Sequence, residues 1–114
     1  MHSERTRGYL FDILSQIELA ESFTAGLTEA EFLRSTLHQH AATRCLEIIS
    51  EASRRLPDDL KNRNAHIDWH LIAGAGNVYR HDYGNVAPRR VWESVTKSLP
   101  PLRKVVEAEL ESAG

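Results

Sequence analysis

Tyr9-Leu10-Phe11-Asp12-Ile13-Leu14-Ser15-Gln16-Ile17-Glu18-Leu19-Ala20-Glu21-Ser22-Phe23-Thr24 decides the fold class. Leu10, Ile13, Leu14, Ile17, Ala20 and Phe23 recur at helical spacing, while Asp12, Gln16, Glu18 and Glu21 take the other faces. Ser3 supplies an N-cap and Gly26 a stop, so the spacing predicts a helix over 3–24. The same period returns from Thr36 to Arg55, with Leu37, Ala41, Cys45, Ile48, Ile49 and Ala52 expected on the buried side. It returns again after Pro88, through Val91, Trp92, Val95, Leu99, Leu102, Val105 and Val106, with Pro88 expected at the first helical position.

The connecting stretches carry start and stop signals. Thr28-Glu29-Ala30-Glu31 has the form of a capping box opening a short helix through Phe32 and Leu33. Leu56-Pro57 ends the Thr36 helix, and Pro57-Asp58-Asp59-Leu60 opens a short connector helix. Lys61-Asn62-Arg63-Asn64 reads as a loop. Asp68 caps a helix expected to run from Trp69 to about Tyr83, with Gly84 as its terminator. Pro100-Pro101 removes two backbone donors and should kink or break the last helix, pushing Leu99 from helical geometry. No period-2 alternation is long enough for a strand. The reading is all-α: one domain over 1–114, an up-down bundle of four main helices with short connecting helices.

Composition narrows the function. At 114 residues the chain is large enough for one hydrophobic core, and a net charge of −2 argues against wholesale nucleic-acid binding through a basic surface. The single cysteine, Cys45, excludes an intrachain disulfide and fits a reducing compartment. The first residues lack a signal-peptide apolar core, and no apolar run approaches the roughly 20 residues of a membrane span. A cytoplasmic protein without membrane association is expected.

Chemistry concentrates in Gly76-Asn77-Val78-Tyr79-Arg80-His81-Asp82-Tyr83. On a helix, Asn77 and His81 stack one turn apart, Gly76 and Arg80 stack beside them, and Asp82 and Tyr83 follow. An arginine with an imidazole near neutral pKa can cleave RNA without a metal or other cofactor. The imidazole moves protons at the ribose 2′-hydroxyl and the leaving oxygen, and the guanidinium stabilises charge on phosphorus. From spacing alone, an Arg-His pair that complements the C-terminal end of a helix dipole is an equally ordinary explanation, and the preferred one. The bare surface of Ala73-Gly74-Ala75-Gly76 admits close approach of another helix, within the chain or across a subunit interface. Elsewhere signals are weaker. His66-x-x-x-His70 has metal-ligand spacing but is split by the helix start at Asp68, His38 and His40 point to different faces, and Cys45 belongs to a core stripe.

Several stretches together resemble the HepT-like group of the HEPN superfamily over nearly the whole chain. They are Gly8 to Leu14, Arg44 to Ala52, Ile67 to Gly74, Asn77 to Tyr83, and Val91 to Val95 with Leu99-Pro100. The resemblance overturns the helix-dipole reading. It implies a helical bundle that forms a homodimer with one composite cleft, a metal-independent endoribonuclease acting as a toxin on RNA. It also implies a small nucleotidyltransferase (MNT-type) partner as antitoxin, in a type VII-like toxin–antitoxin system. The family motif is Arg, four to six residues, then His-x-Tyr. His81 matches its histidine and Tyr83 the tyrosine that can accept adenylate. Asn77 matches the polar residue after the family arginine. Gly76 stands where that arginine belongs, and Arg80, one turn on and about 40° away by helical geometry, is the residue able to replace it. Glu51, in the third helix, is placed by the family layout to orient Arg80 or His81. The alternative function is a non-catalytic nucleotide-binding module that partners a nucleotidyltransferase after loss of the arginine.

Overall fold

A computed structural model of the chain describes residues 2–77 and 86–112. Their elements are all helical: α1 (Glu4–Thr24), α2 (Glu29–Leu33), α3 (Thr36–Arg54), α4 (Asp58–Arg63), α5 (Trp69–Gly74), α6 (Val86–Glu93) and α7 (Leu99–Ser112), with a π turn, Ser94–Ser98, between the last two. Helix α1 packs along α3 and against α7, α3 carries α5, and α2 and α3 both touch α6. The fold is the expected all-α bundle.

The predicted caps are where the sequence places them. Ser3 Oγ accepts the Thr6 N–H at the start of α1, and Gly26 leaves it with φ of 80°, the left-handed conformation glycine tolerates. Thr28 and Glu31 close a reciprocal capping box on α2. Asp68 caps α5 by accepting the Leu71 N–H. From α1, Leu10, Ile13, Ile17 and Ala20 are fully buried and meet Ala42, Leu46 and Ile49 of α3 and Leu102 and Val106 of α7 in one core. Phe32 anchors α2 by its ring contact with Trp92, centroids 5.3 Å apart.

Four expectations are corrected. Of the predicted α3 stripe Cys45, Ile49 and Ala52 are buried, but Leu37 is 76% exposed, Ala41 and Ile48 are half-buried, and Gln39, Ala42, Thr43, Leu46, Ser50 and Ser53 also face inward. Small and hydroxyl side chains occupy the inner face where neighbouring helices come close, so hydrophobicity alone mis-sets the phase. Residues 61–63 continue α4 rather than forming a loop, because the Trp69 indole N–H reaches the Lys61 and Asn64 carbonyls and seals that end. Helix α6 begins at Val86, two residues before Pro88, which still sits in the first turn where no intrahelical donor is needed.

The double proline neither breaks the chain's helical path nor displaces Leu99, which keeps φ −71° and ψ −37°. The turn before it is widened instead. The Leu99 N–H reaches back five residues to the Ser94 carbonyl, one turn ahead of the position where two missing donors would disrupt α-helical pairing. Pro100 and Pro101 then occupy the opening turn of α7.

One polar knot crosses the bundle. Glu109 of α7 is buried and accepts two hydrogen bonds from Arg63 (3.0 and 2.7 Å) and one from Asn64 (2.9 Å), and it meets His2 Nε2 at 2.8 Å. Arg63 above all, then Asn64 and His2, hold its carboxyl down at about 2 against the opposing effect of burial. Arg103 likewise ties α7 to Glu21 of α1 at 2.5 Å.

Candidate functional site

The segment that leads into the histidine motif is clamped onto α3. Ser50, 2% exposed, donates its hydroxyl to the Ile72 carbonyl at 2.9 Å and accepts the Gly76 N–H at 2.9 Å. Arg54 Nη1 donates to the Ala73 carbonyl at 2.6 Å. Carbonyls at the end of α5, which the helix itself leaves short of donors, thus gain partners from α3.

Gly76 makes this contact sterically feasible. A Cβ built there would stand 2.7 Å from Glu47 Cα, 3.1 Å from Glu47 N and 3.2 Å from Glu47 Cγ. The two nearest atoms are backbone, which cannot swing aside. Close approach of another backbone, expected for the glycine-rich stretch, therefore occurs at Gly76, and it occurs within the chain. Gly74 is different: a Cβ there would meet nothing within 4 Å.

Past Gly74 the α-helix tightens into a 3-10 turn over 75–77, so it does not run on unbroken toward Tyr83. Asn77 is exposed and, with Gly76, lines a cavity of about 240 Å³ shared with Arg44, Glu47, Glu51 and Arg54. The Glu51 carboxylate accepts hydrogen bonds from Arg54 Nη2 (2.7 Å) and from Arg55 Nε and Nη2 (3.1 and 2.8 Å). Arg54 first, then Arg55, hold it below the usual carboxylate range. Among the described residues, then, the partners of Glu51 are the arginines of its own helix. Asn77 and Glu51 come together at one cavity. Arg80, His81 and Tyr83, with Asp82 and Gly84, lie outside the described residues.

The remaining candidates stay in structural roles. Cys45 is buried in the core, and desolvation pushes its thiol up, away from nucleophilic chemistry. His38 bonds the Ser35 cap at 2.5 Å. His66 precedes α5, whereas His70 lies on it. No group of three or more His, Cys, Asp or Glu side chains among the described residues could hold a metal ion.

Sequence reasoning missed the clamp. Ser50 and Arg54 were available as signals: a serine on the inward face of α3 needs a backbone partner, and a glycine-rich helix offers one.

The described elements form an all-α, HEPN-like bundle, and an Arg-His-x-Tyr sequence follows its glycine-rich turn. The chain belongs to the ribonuclease HepT-like family, whose profile matches residues 13–109. It is 37% identical over 97 residues to a protein named Probable ribonuclease HepT from Thermococcus cleftensis, covering 85% of this chain and 88% of that one. It is 32% identical over 101 residues to a candidate RNase of Methanocaldococcus jannaschii, covering 89% and 87% of the two chains. A candidate RNase of Caldanaerobacter subterraneus subsp. tengcongensis is 32% identical over 105 residues, covering 92% and 94%. No solved structure gives a significant match. No described helix is long and apolar enough to cross a membrane.

Proposed function

We propose that this chain is a metal-independent endoribonuclease of the HepT type, the toxin of a toxin–antitoxin pair. It acts on RNA as a cytoplasmic homodimer and is neutralised by a small nucleotidyltransferase. The observation that carries this reading is the family match across residues 13–109, within which His81 and Tyr83 hold the motif's His-x-Tyr spacing.

In this mechanism His81 takes the proton from the ribose 2′-hydroxyl as that oxygen attacks phosphorus. The bond from phosphorus to the 5′-oxygen breaks, and an imidazolium returns a proton to the leaving oxygen. The products are a 2′,3′-cyclic phosphate and a 5′-hydroxyl. Arg80 contacts the phosphate and offsets the charge that develops on it. Asn77 and Tyr83 position the strand, and Glu51 supports the site through the arginines it binds. Tyr83 is also the acceptor for adenylate from the partner. The packing of Gly76 supports the assignment to Arg80: position 76 lies against the α3 backbone with no room for a side chain. The motif's own remaining arginine is Arg80.

The same packing favours a second reading, in which the chain has lost cleavage and serves as a nucleotide-binding partner module for the nucleotidyltransferase. Expression in a bacterial host separates the two. Growth arrest that His81→Ala and Arg80→Ala each relieve supports the ribonuclease. Co-purification with the nucleotidyltransferase, without arrest and without RNA cleavage, supports the module and refutes the ribonuclease.

A further inference from the structure

A cavity larger than the one that contains Asn77 lies elsewhere among the described residues. It is a cleft of about 450 Å³ between α5 and the face formed by α6 and the π turn. That volume lies in the range of small-ligand sites, roughly 300–1,000 Å³. His70, Leu71, Gly74 and Ala75 form one wall; Arg90, Glu93, Ser94, Lys97 and Ser98 stand on the other.

Three features point to one kind of occupant. First, the α5 wall is apolar apart from His70, and unfilled: Leu71 is 53% exposed, and Gly74 has open space where its Cβ would be. A packing role explains Gly76 but not Gly74. Second, Arg90 and Lys97 are exposed at i and i+7 of one helix face, and neither has an ion-pair partner among the described residues. Arg54, Arg55, Arg63 and Arg103, by contrast, are all committed to carboxylates. Third, both walls border the histidine motif in sequence: Ala75 is two residues before Asn77, and α6 starts at Val86. Arg90, Ser94 and Lys97 follow one another at i, i+4 and i+7 along α6 and the π turn and line the same cleft.

We propose that this cleft seats one nucleotide of the RNA strand next to the cleavage site, with its base on Leu71, Gly74 and Ala75 and the phosphates flanking it on Arg90 and Lys97. The proposal rests on the ribonuclease reading and adds substrate-positioning residues outside the family motif. A mostly apolar wall suits a base face of any sequence, and two cations seven residues apart, without ion-pair partners among the described residues, outweigh the single carboxylate of Glu93 between them and suit a strand backbone. A second copy of the chain is a poorer occupant. A twofold contact centred on the cleft would bring Arg90 and Lys97 against their own copies.

The test uses the intact chain carrying His81→Ala, so that labelled single-stranded RNA is bound without being cut. Fluorescence anisotropy is measured for three further variants. Arg90→Ala/Lys97→Ala removes the cationic wall, and Gly74→Phe fills the cleft from a position whose Cβ would meet nothing within 4 Å. Arg5→Ala/Arg34→Ala removes the same charge from other faces. The double cleft variant should bind at least tenfold more weakly, and its slope of log affinity against log salt should fall by about 1.4, near 0.7 per lost phosphate contact. Gly74→Phe should weaken binding to a similar degree with its thermal melt preserved, and the control pair should stay within twofold. Equal weakening by the cleft and control pairs overturns the proposal, as does unchanged affinity in Gly74→Phe. A changed oligomeric state of Gly74→Phe in light scattering overturns it too, giving the cleft to a second copy. Cleavage kinetics separate this from failure of the underlying reading. If the chain with His81 intact cuts RNA and the cleft variants keep its KM, only the cleft assignment falls. If it neither binds nor cuts RNA, the ribonuclease reading falls and the cleft assignment with it.

Discussion

Gly76→Ala is the sharpest perturbation of the clamp that carries the chain into its histidine motif. The added methyl would sit 2.7 Å from Glu47 Cα and 3.1 Å from Glu47 N, so the end of α5 must lift from α3 by a sizeable fraction of an ångström. Overpacking of this kind costs about 1–3 kcal/mol. The lift also strains the 2.9 Å bond from the Gly76 N–H to Ser50 Oγ, whose loss leaves a buried donor unpaired at a cost of about 1–3 kcal/mol. Alanine's better helical propensity returns up to about 1 kcal/mol. The net is a destabilisation of about 1–6 kcal/mol, at roughly 4 °C of Tm per kcal/mol for a domain of this size. Urea denaturation followed by circular dichroism measures it, with Gly74→Ala as the partner experiment. That second glycine meets nothing within 4 Å, so its alanine should be neutral or stabilising. If Gly76→Ala is as stable as the parent, or if Gly74→Ala is the more damaging of the two, the packing argument fails.

Ser50→Ala removes both bonds of the clamp and should lower stability by about 1–3 kcal/mol in the same denaturation assay. Combined with Gly76→Ala its cost should be less than additive, since both act on one contact. Gly76→Arg, which restores the family's residue, should destabilise the fold and leave the rate of RNA cleavage no higher than the parent's. A rise in that rate would mean that Arg80 does not supply the phosphate contact. Glu109 should govern acid stability. Its folded carboxyl sits at about 2 against an ordinary 4.5, so the folded state favours the charged form. The stabilisation, about 3 kcal/mol, is complete above pH 4.5 and is lost as pH falls through the folded value. Glu109→Gln should therefore lower the urea midpoint at pH 7, and the gap from the parent should narrow between pH 4.5 and 2. A gap that is constant with pH contradicts this.

How much of this was legible before the structure depends on which interaction carried the signal. Local signals read true: the Ser3 cap, the Thr28–Glu31 box, the Asp68 cap and the Gly26 stop each involve groups within a few residues, so the sequence holds both partners. The apolar period of α1 was equally plain, because its inner face is filled by Leu10, Ile13 and Ile17. Helix α3 was misphased because its inner face carries Ala42, Thr43, Ser50 and Ser53, residues chosen for close approach rather than for hydrophobicity. The Ser50 clamp needed a partner 26 positions away, and the relief of the double proline by a π turn depended on the preceding turn rather than on the prolines themselves. Of the candidate site, the motif was found through family resemblance, while the meaning of Gly76 came from geometry. A position that looked like a lost arginine is a packing contact with the backbone of Glu47.

In the proposed reaction His81 drives phosphoryl transfer to the ribose 2′-hydroxyl, with Arg80 as the phosphate contact. End-group analysis of RNA cut by the purified chain in the presence of EDTA tests it most directly. Cleavage should leave 2′,3′-cyclic phosphate and 5′-hydroxyl ends and fall at least a hundredfold in His81→Ala and in Arg80→Ala. RNA left intact, ends bearing 3′-hydroxyl and 5′-phosphate groups, or full activity in His81→Ala would contradict it.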